Sequence, residues 1–82
     1  MKKYLPLGTV VLLKGATRKL MIVGYCPKTL EDNKTYDYSG VLYPYGLVKS
    51  DEVGLFNHDS IDKVIHLGID DEEGKKIRES LK

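Results

Sequence analysis

A strand that is apolar on both faces constrains this chain more than any other feature. In KLMIVGY, residues 19–25, alternation sends Leu20 and Ile22 to one side and Met21, Val23 and Tyr25 to the other. Both sides then need a cover. VVLL at residues 10–13 has the same character, and Gly15 in the intervening KGATRK suits a turn, so the two runs form a β-hairpin. With 82 residues there is room for one core only, because two half-sized cores could not offset the chain entropy lost on folding. The expected solution is an α+β fold, a small, strongly curled antiparallel β-sheet or SH3-like barrel of four or five strands, with a C-terminal helix outside it.

The remaining elements follow from turn chemistry and spacing. One domain is expected over residues 1–82, with a β-rich core from about 4 to 68 and a helix from about 70 to 81. CPKTLEDNKT (26–35) and KSDEVG (49–54) read as exposed connections. Between them, Tyr36 and Tyr38 share one strand face, with Asp37 and Ser39 opposite, and Val41 and Leu42 extend the pattern until Pro44 and Gly46 end it. Ile61, Val64, Ile65 and Leu67 fit a last strand near residues 63–67, stopped by Gly68. Val10, Leu12, Leu20, Ile22, Val23, Leu42, Val64 and Ile65 are the expected buried set. In IDDEEGKKIRESLK, Asp70 suits an N-cap, with acids in the first turn and Lys75, Lys76 and Arg78 following to complement the helix dipole. Its apolar stripe is thin, Gly74, Ile77 and Leu81, which implies a helix docked on the sheet or on a partner.

Charge and cysteine content narrow the function classes. Thirteen Lys and Arg against twelve Asp and Glu leave a net charge of +1, short of the basic excess that drives nucleic-acid binding. The single cysteine, Cys26, rules out an internal disulfide and favours the cytoplasm. MKKYLPLGTVVLLKG is reminiscent of a signal peptide, yet Pro6, Gly8 and Thr9 interrupt its apolar run, so it reads as part of the fold. No stretch approaches the roughly 20 apolar residues that a membrane span requires.

No catalytic or metal-binding constellation stands out. Cys26, His58 and Asp59 are a thiol, a base and an acid with no spacing to join them, and Cys26 before Pro27 reads as a structural thiol. Two separated histidines and one cysteine do not make a zinc site; His66 alternates with apolar neighbours as a solvent-facing strand residue. The glycines form no phosphate cradle. No enzymatic activity, metal or cofactor is expected. FNHDS (56–60) joins an aromatic anchor, Phe56, to Asn57, His58, Asp59 and Ser60, which read either as a simple turn or as a polar recognition loop.

YDYSGVLYPYG (36–46) holds four of the six tyrosines. A base-stacking platform would need basic neighbours, whereas Glu31, Asp32, Asp37, Asp51 and Glu52 lie close in sequence. Tyr36 or Tyr38 is expected at the core margin with its hydroxyl in water, while Tyr43 and Tyr45 flank a tight turn that suits protein recognition.

YLPLGTVV at the start, the KLMIVG strand, the YPYG turn and FNHDSID together resemble the domain of unknown function 4176 family of Gram-positive bacteria, over nearly the whole chain. Members look like short proteins encoded beside type VII secretion genes and LXG-type polymorphic toxins. The resemblance implies a non-enzymatic adaptor that binds such a toxin, or its small helical companions, in the cytoplasm before export. An immunity-type protein that neutralises a neighbouring toxin, and a small-barrel nucleic-acid-binding module, are the alternatives. Tyr43, Tyr45, Phe56, Asn57 and His58 are the candidate protein-binding residues.

Overall fold

The computed structural model describes residues 4–49 and 53–81. Five strands, β1 (Val10–Leu13), β2 (Lys19–Tyr25), β3 (Tyr38–Leu42), β4 (Gly54–Phe56) and β5 (Ile61–His66), are followed by a helix, α1 (Glu72–Ser80). They form one antiparallel sheet in the order β4-β3-β2-β1-β5. The expected β1–β2 hairpin is present, with Val10 opposite Met21 and Leu12 opposite Lys19, and Gly15 in its turn takes a φ of 77° that a side chain would resist. Residues 50–52 of the KSDEVG connection, with the acids Asp51 and Glu52, lie outside the described residues.

The barrel expectation is corrected: the sheet is open and is neither closed nor strongly curled. Closure would require a ladder between β4 and β5, but β4 is three residues long and pairs with β3, while β5 pairs with β1. Two register shifts interrupt the β1–β5 pairing, between Val10 and Val11 and between Leu12 and Leu13. Such bulges bend an edge strand and spoil it as a template for further pairing.

One face of the sheet carries the core. Val11, Ile22, Tyr38 and Phe56 form the buried cluster, and Tyr4, Leu5, Leu13, Leu20, Tyr25 and Ile61 pack against it. The cover is the N-terminal segment and not α1. Leu5 N–H donates to the Tyr38 hydroxyl at 3.0 Å, and the Tyr25 hydroxyl donates to the Leu5 carbonyl at 2.6 Å. Further along, the buried Thr9 continues the β2 ladder through its own backbone and accepts from Gly68 N–H at 3.0 Å. A Cβ on Gly68 would overlap the Leu7 carbonyl, so glycine lets this strap lie flat against the end of β5.

The expected buried set holds in part. Val10 and Ile22 are buried and Leu12 and Leu20 partly so, but Val23, Leu42, Val64 and Ile65 are exposed. The reason differs along the sheet. Val23 sits at a register shift between β2 and β3, and Val64 and Ile65 are on the outermost strand, which has a neighbour on one side only. Asp37, expected on an outer face, is buried ahead of β3, and Tyr38 is fully buried with its hydroxyl bonded inside the protein, not in water.

The helix, expected over about 70 to 81, spans Glu72–Ser80, and its N-cap lies one residue later than expected. Asp71 is the N-cap, its Oδ1 accepting from Gly74 N–H at 2.9 Å, while Asp70 forms an ion pair with Arg78. No residue of α1 is buried, and Ile77 is 57% exposed. The side chain that turns inward is Arg78, 10% exposed, whose guanidinium lies beside the Tyr25 hydroxyl.

Candidate protein-binding surface

Each side of the sheet places its tyrosines differently. On the covered side, Tyr4, Tyr25 and Tyr38 form an aromatic cluster, with Tyr4 edge-on to both others at centroid separations of 5.7 and 5.8 Å. The Phe56 ring stacks 5.4 Å from Tyr38 and lies over Gly40, where a Cβ would come within 3.0 Å of it. Small size at Gly40 is therefore what lets Phe56 close the core. Burial pushes the Tyr38 and Tyr25 hydroxyls up from their ordinary values, with Arg78 opposing the rise at Tyr25. Tyr4 is pushed up to about 12, first by its hydrogen bond with the Cys26 thiol and then by burial.

The 57–60 turn faces inward. Asn57 Oδ1 accepts from Asp37 N–H at 3.2 Å, Asp37 Oδ2 accepts from His58 N–H at 2.8 Å, and the Tyr38 hydroxyl meets His58 Nδ1 at 2.8 Å. This arrangement does not resemble a nucleophilic relay. The carboxylate that meets this turn is Asp37, whose Oδ2 accepts from the His58 backbone N–H. Cys26, at a φ of 51°, has the Tyr4 hydroxyl as its partner at 3.6 Å. Among the described residues, no group of three or more His, Cys, Asp or Glu is placed to hold a metal ion. No helix there is long and apolar enough to cross a membrane.

On the other side, Tyr43 and Tyr45 stand out from a turn closed by Gly46 N–H donating to the Leu42 carbonyl at 2.8 Å, with Gly46 at a φ of 75°. They are 46% and 64% exposed. Each carries a cation on its ring: Lys19 Nζ lies 5.2 Å from the Tyr43 centroid and the Arg18 guanidinium 6.0 Å from that of Tyr45. Beside them a groove of about 430 Å³ runs over the sheet, lined by Val10, Met21, Ile65, Tyr43, Lys19 and His66 together with Gly8.

Of the five expected binding residues, the structure therefore exposes Tyr43 and Tyr45, keeps Asn57 and His58 half-buried with their bonds turned inward, and places Phe56 in the core at 4% exposure. Of the other groove residues, His66 was expected to face solvent and Ile65 to be buried, and neither they nor Lys19 and Met21 were expected in a binding surface. The apolar alternation of KLMIVGY on its second face was the available signal, because that face needed a cover and Met21 lines the groove there.

The family profile described as Domain of unknown function (DUF4176) matches residues 4–77. No curated protein and no solved structure matches the chain.

Proposed function

The chain belongs to the DUF4176 family, and from that premise we propose that it is a non-enzymatic, cytoplasmic protein-binding adaptor whose partner is an LXG-type toxin bound for type VII secretion. The observation that supports a binding role is the pair of exposed tyrosines, Tyr43 and Tyr45, each with a cation over its ring. Rings held at a tight turn give large contact area with little side-chain entropy left to lose, which is what anchors of protein interfaces need. Asn57 and His58 contribute through the shape of their turn, and Phe56 through the core beneath it.

Affinity capture from the native cell, with the wild-type chain beside a Tyr43→Ala, Tyr45→Ala double variant, tests this. The wild type should retain an exported toxin through its N-terminal region, and the double variant should bind it about 10-fold or more weakly, on the order of 1 to 2 kcal/mol per anchor. Retention through the toxin's C-terminal domain would favour immunity instead. Equal retention by both proteins would remove the tyrosines from the interface.

A further inference from the structure

Two rows of side chains cross the open face of the sheet in register. Val10 sits between Met21 on β2 and His66 on β5, and Leu12 sits between Lys19 on β2 and Lys63 on β5. The first row is the floor and one wall of the 430 Å³ groove, and the second sets a lysine on either side of an apolar centre. Tyr43 joins at the β3 side, its N–H donating to the Lys19 carbonyl at 3.0 Å, with Arg18 beyond it over Tyr45. The acids whose bonds are known act elsewhere: Asp37 on His58 N–H, Asp32 on Thr29, Asp70 on Arg78 and Asp71 at the helix cap. Asp62, the acid of β5, falls at the register shift between Leu12 and Leu13, outside both rows.

We infer that this groove takes an acidic protein segment, one that seats apolar side chains on Val10, Met21 and Ile65 while its carboxylates meet Lys19, Lys63, Arg18 and His66. The inference rests on the adaptor reading and adds the chemistry of the partner. An apolar floor with cations on its rim matches the mixed character of specific interfaces, in which buried apolar anchors supply affinity and charge sets choice of partner. A nucleic-acid strand fits less well. The floor of the groove is aliphatic rather than aromatic.

The test uses three probes on the full chain, followed by amide chemical shifts: a leucine-containing peptide flanked by glutamates, the same peptide flanked by lysines, and oligothymidylate. The glutamate peptide should shift Val10, Met21 and Ile65 and bind at least about 10-fold tighter than the lysine peptide, weakening with added salt. A Lys19→Glu, Lys63→Glu double variant should reverse the preference. Both lysines are exposed, so the fold should survive the change; Ile65→Asp is the second variant, expected to abolish binding of the glutamate peptide. No shift in the groove, a preference that charge reversal leaves unchanged, or occupation by oligothymidylate in place of the peptide would overturn the inference. A captured native partner indifferent to the charge reversal would also overturn it while leaving the adaptor reading intact. Loss of that partner's toxin identity with peptide selectivity preserved would do the opposite.

Discussion

Tyr38 and Tyr45 belong to the same short stretch of chain and end in opposite environments. The Tyr38 ring is fully buried among Tyr4, Tyr25, Phe56 and His58, and its hydroxyl ties the N-terminal strap to the 57–60 turn. Tyr45 is 64% exposed beneath a guanidinium and touches the core nowhere in the aromatic cluster. The difference lies in what the two sheet faces meet. One face is closed by a strap that supplies both a backbone donor and apolar cover; the other keeps a groove with Lys19 and His66 in its lining. A tyrosine on the closed face is held by packing and hydrogen bonds together, whereas one on the open face is left available for contact.

The sharpest way to break this comparison is truncation. Tyr38→Ala should cost roughly 3 to 5 kcal/mol of stability in a denaturant titration, because it empties the centre of the aromatic cluster. Tyr38→Phe keeps the ring but leaves Leu5 N–H and His58 Nδ1 without their shared partner, and should cost about 1 to 3 kcal/mol. A wild-type melting temperature in the phenylalanine variant would mean that packing alone closes this face.

Alkaline titration separates the faces without mutation. Tyr4, Tyr25 and Tyr38 all have raised folded-state values, so the folded state holds their protons more tightly than the unfolded chain does. The stability from these groups is fully present below an unfolded value of about 10 and is lost as pH climbs through about 12 at Tyr4. The melting temperature should fall over that window, and Tyr38→Phe should make the fall shallower. A flat profile to pH 12 would count against the buried tyrosine cluster as a source of stability.

Smallest of all should be the stability effect of Tyr43→Ala or Tyr45→Ala, within about 0.5 kcal/mol in the same titration, since neither ring fills the core. A loss comparable with that of Tyr38→Phe would assign the open-face tyrosines to the fold and take away their claim to a partner.

The hairpin, the terminal helix and the turn at Pro44 and Gly46 were legible because each depends on local chemistry: β-branched alternation, a capping aspartate and a glycine at positive φ. Asp71 in place of Asp70 as the cap is a one-residue exchange between neighbouring aspartates, with Asp70 engaged by Arg78 in an ion pair. Phe56 could not be placed in advance. Whether it faced a partner or the core turned on Gly40 lying beneath it, a contact between β3 and β4 across the long connection between them. Leu42, Val64 and Ile65 read as core residues by pattern alone, and a pattern reports which side chains are apolar but not which face finds a cover.

By itself the sequence determined an α+β chain built on an antiparallel sheet, the family to which it belongs, and the need for a cover on both sides of KLMIVGY. Tertiary structure alone decided that the residue 4–9 strap covers one side, that the outer strands stay unjoined, and that Lys19 and His66 line the groove on the other. Alternation and capping act over a few residues and leave their mark in local spacing. Strand order and cover arise from contacts between segments far apart in the chain, where many pairings satisfy the same local pattern and only mutual packing selects one.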